Sequence, residues 1–92
     1  MHMIELLAAS DDENIPVIDL HAAETTHDAL DQLESGLFLF SQKKEPYCRV
    51  VHGIGGGILK EAVHTALKES PLVKDFCLSF DGGSTMVGFY DE

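Results

Sequence analysis

Two clusters in this chain carry residue types that move protons, and the second joins them to residue types that hold anions. Asp19 and His21 stand two apart in VIDLH, which on a strand puts them on the same side. A carboxylate there can orient the imidazole or hold a divalent ion. The second cluster, in VVHGIGGGILKEAV, is His52 followed by Gly53, Gly55, Gly56 and Gly57. These glycines let the chain turn sharply and aim unpaired N–H groups at a ligand where a helix dipole is positive. A phosphodiester suits such a site. Its cleavage needs one group to take a proton and another to give one, roles that His21 and His52 can divide. Each cluster also has a plain reading. An Asp-x-His at a strand end commonly anchors a loop or caps a helix, and a histidine beside glycines can tie its ring to a loop carbonyl.

Further cations follow the glycines. Lys60, His64 and Lys68 recur every four residues and share one helical face. That face is either a solvated surface or a track for a nucleic-acid backbone. Lys43, Lys44 and Arg49 extend the track if the fold brings them close. Phe38, Phe40, Tyr47, Phe76 and Phe80 read as core residues. Other ligand classes fail on spacing: a dinucleotide fingerprint needs glycine where Ile58 stands, and no Walker sequence is present. No close His or Cys pair has zinc spacing. The remaining metal candidate is magnesium or manganese near Asp19.

These residues need elements to position them. IPVIDLH reads as a strand buried on both faces, and Thr25 with Asp28 as a cap for a helix from about Thr26 to Lys43. Gly36 inside that helix costs about 1 kcal/mol against alanine. YCRVVH is the second strand. Ile58 to Leu67 form a second helical stripe that Ser70 and Pro71 stop, and KDFCLSF and TMVGFY are strands around the turn DGG. The order βαβαββ predicts a two-layer α/β sandwich: a four-stranded mixed sheet with both helices on one face, its first two strands parallel and the terminal hairpin an antiparallel edge. The carboxyl ends of strands one and two then lie side by side, where α/β sheets bind ligands.

Size and charge bound the partners. A chain of 92 residues supports one small core; residues 1–14 read as an acidic extension and 15–92 as the domain. No apolar run approaches the roughly 20 residues that span a bilayer, and no secretory leader is evident. Cys48 and Cys77 sit apart in apolar runs and read as reduced buried thiols of a cytoplasmic protein. The net charge is -10, against the usual basicity of nucleic-acid-binding domains. The charge is uneven, however. All six Lys and Arg fall between Lys43 and Lys74, while residues 1–34 hold nine acids and no Lys or Arg. A polyanion can therefore be met locally.

VIDLH, then VVHGIGGGILKEAV, PLVKDF and GGSTMV, resemble in order the Smr (small MutS-related) domain, whose hallmarks are D-L-H-G at the end of the first strand and H-G-x-G-x-G before the second helix. The resemblance covers residues 16–90. It implies a fold similar to the carboxyl-terminal domain of translation initiation factor 3, and relatives that nick DNA or cleave RNA, some of them ribosome-associated. Asp19 and His21 match the first motif, and His52, Gly53, Gly55 and Gly57 the second. Lys60 falls where the family often carries a cation. Two positions depart from the pattern: Ala22 replaces the glycine after D-L-H, and Ile54 occupies a usually basic position. The resulting expectation is an endonuclease acting on RNA or DNA. Asp19, His21 and His52 would be catalytic, and Gly53, Gly55, Gly56, Gly57, Lys60, His64 and Lys68 would bind phosphate. The alternatives are a nucleic-acid or ribosome-associated binding module without catalysis, and a domain that docks to protein through its acidic amino-terminal segment.

Overall fold

A computed structural model describes residues 14–55 and 57–90. The expected acidic extension, apart from Asn14, and Gly56 lie outside the described residues. Six elements follow in order: β1 (Val17–Asp19), α1 (Thr26–Gln42), β2 (Tyr47–Val51), α2 (Ile58–Glu69), β3 (Val73–Leu78) and β4 (Ser84–Phe89). The βαβαββ order, the four-stranded mixed sheet and the two helices are as the sequence predicts.

The strand order is β1-β2-β4-β3. β1 runs parallel to β2, with Ile18 opposite Val50, while β4 is antiparallel to both β2 and β3. The terminal hairpin thus forms one side of the sheet as expected, with β4 inside against β2 and β3 at the edge, where it runs with β1 and β2. The first helix returns the chain to the strand beside β1, whereas the second returns it one place beyond β2. β4 fills the slot between β2 and β3, and all six of its residues are buried.

β1 departs from expectation. It is an edge strand with one side open: Ile18 is buried, while Val17 is 50% exposed and Asp19 is exposed. Ile18, Val50 and Val87 face the helices and meet Leu33 and Leu37 of α1 and Val63 and Leu67 of α2 in the main core. A smaller cluster of Cys77 and Met86, backed by Ile15 and Tyr47, is separate from it. Cys48 belongs to the main core. Cys77 pairs in register with Met86, and Cys48 with Val87, one residue on. The two free thiols therefore lie on opposite faces of the sheet. Burial pushes the Cys48 thiol up to about 12.

α1 starts as its sequence directs, with Thr25 Oγ1 accepting from the Asp28 amide at 3.0 Å. Gly36 has a positive reason to be there. A Cβ at that position would stand 2.6 Å from Ile18 Cδ1 and 2.8 Å from Ile18 Cγ1, so glycine lets α1 settle onto β1. The helix ends with the Lys44 amide donating to the Ser41 carbonyl and the Glu45 amide to the Phe40 carbonyl. This Schellman arrangement places Lys44 at φ 61°, where glycine is usual. Not all aromatics are core: Phe40 and Phe76 pack against it, but Phe38 is exposed and Phe80, in the turn after β3, is 89% exposed.

Candidate nucleic-acid interface

The parallel pairing of β1 and β2 ends with Asp19 opposite Val51, and the Leu20 amide extends it by donating to the Val51 carbonyl at 2.7 Å. His21 and the His52–Gly53 step therefore leave the sheet together. A Cβ on Gly53 would lie 3.8 Å from His21 Cβ, so the two motifs, thirty residues apart in sequence, share one tip. The β3–β4 turn completes that tip. Its Gly83 carbonyl accepts from the amides of His52 at 3.1 Å and Gly53 at 2.9 Å.

At the first motif, Asp19 Oδ1 accepts from the His21 backbone amide at 3.1 Å and meets His21 Nδ1 at 2.5 Å. Both groups are exposed, so the pair orients the ring more than it stabilises the fold. The ring contact, followed by the backbone amide, holds the Asp19 carboxyl below its usual range. With Nδ1 donating to a carboxylate, His21 presents Nε2 as a basic nitrogen to solvent.

The second histidine is placed differently. His52 is 5% exposed, with Nδ1 3.0 Å from the Gly53 carbonyl and Nε2 2.9 Å from Thr85 Oγ1. Both ring nitrogens are taken up inside the protein, as in the plain reading of a ring tied to a loop carbonyl. Thr85, fully buried on β4, also meets His64 Nε2 at 2.7 Å. The His64 ring packs against Phe76 at a tilt of 58°, with ring centroids 4.9 Å apart. His64 is thus turned in towards the sheet instead of lying on an outer cationic face. Thr85 is a site residue that the sequence does not mark, because a threonine in a β-branched run reads as an ordinary strand former.

The glycine turn separates into parts. Gly53 has φ +84° and Gly57 φ +88°, both in the region that favours glycine. Gly53 gives its N–H to Gly83, so it shapes the turn and is not an open donor. Gly57 is the N-cap of α2 and has no side chain to cap it. The first-turn amides of that helix lack intrahelical acceptors and point at the tip with the positive end of the dipole. By contrast, Thr25 caps α1 itself. A Cβ on Gly55 would meet nothing within 4 Å, so its backbone is open to approach.

Ala22 has no positive φ, so its departure from glycine costs no strain. Ile54 is 72% exposed and leans on the β3–β4 turn, with its Cγ1 3.4 Å from where a Gly83 Cβ would stand. Ile58 and Phe80 are also exposed, giving this end of the sheet an apolar rim. Among the cations, Lys60 lies in the first turn of α2, whereas Lys68 is in its last turn, about 12 Å further along the axis at 1.5 Å per residue. Lys43 and Lys44 close α1 at the opposite end of the sheet. Arg49 bonds Ser84 Oγ at 3.3 Å. Among the described residues no group of three or more His, Cys, Asp and Glu is arranged for a metal, and no helix is long and apolar enough to cross a membrane.

Comparison with known proteins agrees with the fold. The Smr domain family model matches residues 18–87. Endonuclease MutS2 of Thermomicrobium roseum is 39% identical over 75 residues, a stretch that covers 79% of this chain and 9% of that protein. The chain thus spans only a small part of this relative. The crystal structure of the Smr domain of Thermus thermophilus MutS2 superposes with a TM-score of 0.77 at 26% identity, covering 83% of this chain and 99% of that one.

Proposed function

The chain belongs to the Smr domain family, and from that premise we propose that its tip binds the phosphates of RNA or DNA and cleaves a phosphodiester bond there. The observation that carries this reading is the 3.8 Å approach of a Gly53 Cβ to His21 Cβ, which sets the exposed Asp19–His21 pair beside the turn that leads into the uncapped start of α2. One supplies a base and the other an anion site. His21 Nε2 takes the proton of the attacking hydroxyl or water, Asp19 keeps the ring in its tautomer and steadies the imidazolium that forms, and as the P–O bond breaks the leaving oxygen takes its proton from solvent water. The first-turn amides and Lys60 take the phosphate charge. His52, closed off from solvent, supports the turn and does not exchange protons with the substrate. Ile54, Ile58 and Phe80 offer apolar contact to bases beside the bound phosphate.

Besides Asp81, held by Ser79 and Gly83 in the β3–β4 turn, and Glu61 in the first turn of α2, a magnesium or manganese ion would find Asp19 here, whose Oδ1 is already engaged by His21. Its other oxygen fits the sparse coordination magnesium accepts, in which substrate phosphates and water complete the shell. When bound, such an ion would offset charge on the phosphate. The scarcity of nearby cations and the enclosure of His52 favour a second reading: a module that binds nucleic acid without cutting it.

Purified protein incubated with single-stranded RNA and with supercoiled DNA at low salt, with magnesium, manganese or chelator, separates these readings. Cleavage that His21→Ala abolishes supports the enzyme. Equal cutting by His21→Ala would trace to contamination and remove the claim, and salt-sensitive binding without products establishes the module.

A further inference from the structure

We infer that Thr85 and His64 are positioning residues: they form a directed hydrogen-bond chain that fixes the tautomer of His52 and, through it, the glycine turn. The direction follows from donor counting. The Gly53 carbonyl can only accept, so His52 Nδ1 carries the proton across their 3.0 Å contact. A neutral His52 then has a lone pair on Nε2, 2.9 Å from Thr85 Oγ1. The threonine hydroxyl gives its single proton to that nitrogen. Its oxygen is left to accept from His64 Nε2–H at 2.7 Å.

The opposite direction would require an imidazolium at His52, a ring only 5% exposed, and burying a charge there is costly. The chain therefore runs from His64 through Thr85 and His52 to the Gly53 carbonyl. It ties α2 and β4 to the residue whose φ of +84° begins the turn. The Gly53 amide is held from the other side by Gly83. Both polar ends of this peptide segment are thus pinned, and the turn is set before a ligand arrives.

The consequence for ligand binding rests on the phosphate reading above; the tautomer does not. Nitrogen-detected NMR of protein labelled with nitrogen-15 histidine, without nucleic acid, should show His52 as the Nδ1–H form with a slowly exchanging proton and His64 as the Nε2–H form. Thr85→Val keeps the shape and removes the hydroxyl. It should mix the His52 tautomers, shift the Gly53 amide, and weaken binding of a short RNA by about tenfold. His64→Gln, which can still donate, should preserve the tautomer where His64→Leu does not. Finding His52 as the Nε2–H form, or a Thr85→Val spectrum in which the His52 and Gly53 signals do not move, would overturn the inference. If the tautomers are as stated but the unaltered protein binds no RNA or DNA, the phosphate reading fails and the chain of bonds stands.

Discussion

A Cβ added to Gly53 would lie 3.8 Å from Cβ of His21, so the ends of the two parallel strands are in van der Waals reach. At that distance Gly53→Ala causes no collision, and its penalty comes from φ +84° alone. The expected loss is about 1–2 kcal/mol in urea denaturation. A rotated turn should also weaken oligonucleotide binding, whereas Gly55→Ala, in open space, should leave stability within about 0.5 kcal/mol.

Gly36→Ala should destabilise even though alanine is the better helix former. The new methyl would stand 2.6 Å from Ile18 Cδ1, and overpacking of this kind typically costs about 1–3 kcal/mol. Ile18→Val removes that Cδ1 and keeps the γ carbon at 2.8 Å, so it relieves part of the collision. The double variant should therefore be more stable than the sum of the single effects, a coupling that a double-mutant cycle measures.

Lys44→Gly should stabilise. Its φ of 61° is strained for lysine and free for glycine, and the side chain contributes none of the capping bonds. A gain of about 1 kcal/mol is expected in thermal or urea denaturation.

Stability should fall as pH drops below neutral. Burial holds the His64 imidazole below its usual value of 6.5, and the Lys60 and Lys68 charges push the same way, as would a second proton on His52; β3 and β4 present Phe76 and Thr85 to it, which do not titrate there. The unfolded chain takes up a proton that the folded one resists. Stability present above pH 6.5 is thus lost as pH falls through the lowered folded value. Urea midpoints between about pH 7 and about pH 5 should show this decline, and His64→Gln should flatten it.

Ile54→Lys should improve the tip as an anion site. The side chain is already in solvent, so a lysine costs little in folding and adds a cation beside the uncapped helix. RNA or DNA binding should tighten at low salt, and the logarithmic salt slope should steepen by about one.

Much of this arrangement was legible in residue order. Thr25 announced a helix start, the glycines announced a turn, and VIDLH with VVHG placed both motifs at strand ends. What stayed hidden depended on partners distant in sequence. His64 sits four residues from both Lys60 and Lys68 and reads as polar surface until Thr85 arrives opposite it from another strand. Phe80 resembles core because it continues an apolar run, but β3 ends at Leu78 and leaves the ring in the turn. Val17, Ile18 and Leu20 read as a doubly buried strand, and only the sheet order puts β1 at an edge. The D-L-H and H-G clusters look equivalent in sequence, while the fold gives one imidazole to solvent and encloses the other.

The burial of β4 between β2 and β3 bears on how the protein is made. During synthesis β1, α1, β2, α2 and β3 emerge first, and the two halves of the sheet have no direct pairing until residues 84–89 leave the ribosome. Until then β2 and β3 each present an unpaired edge. One strand therefore joins the two halves of the sheet and also brings Thr85 to His52 and His64, so sheet closure and the buried polar contact depend on the same six residues.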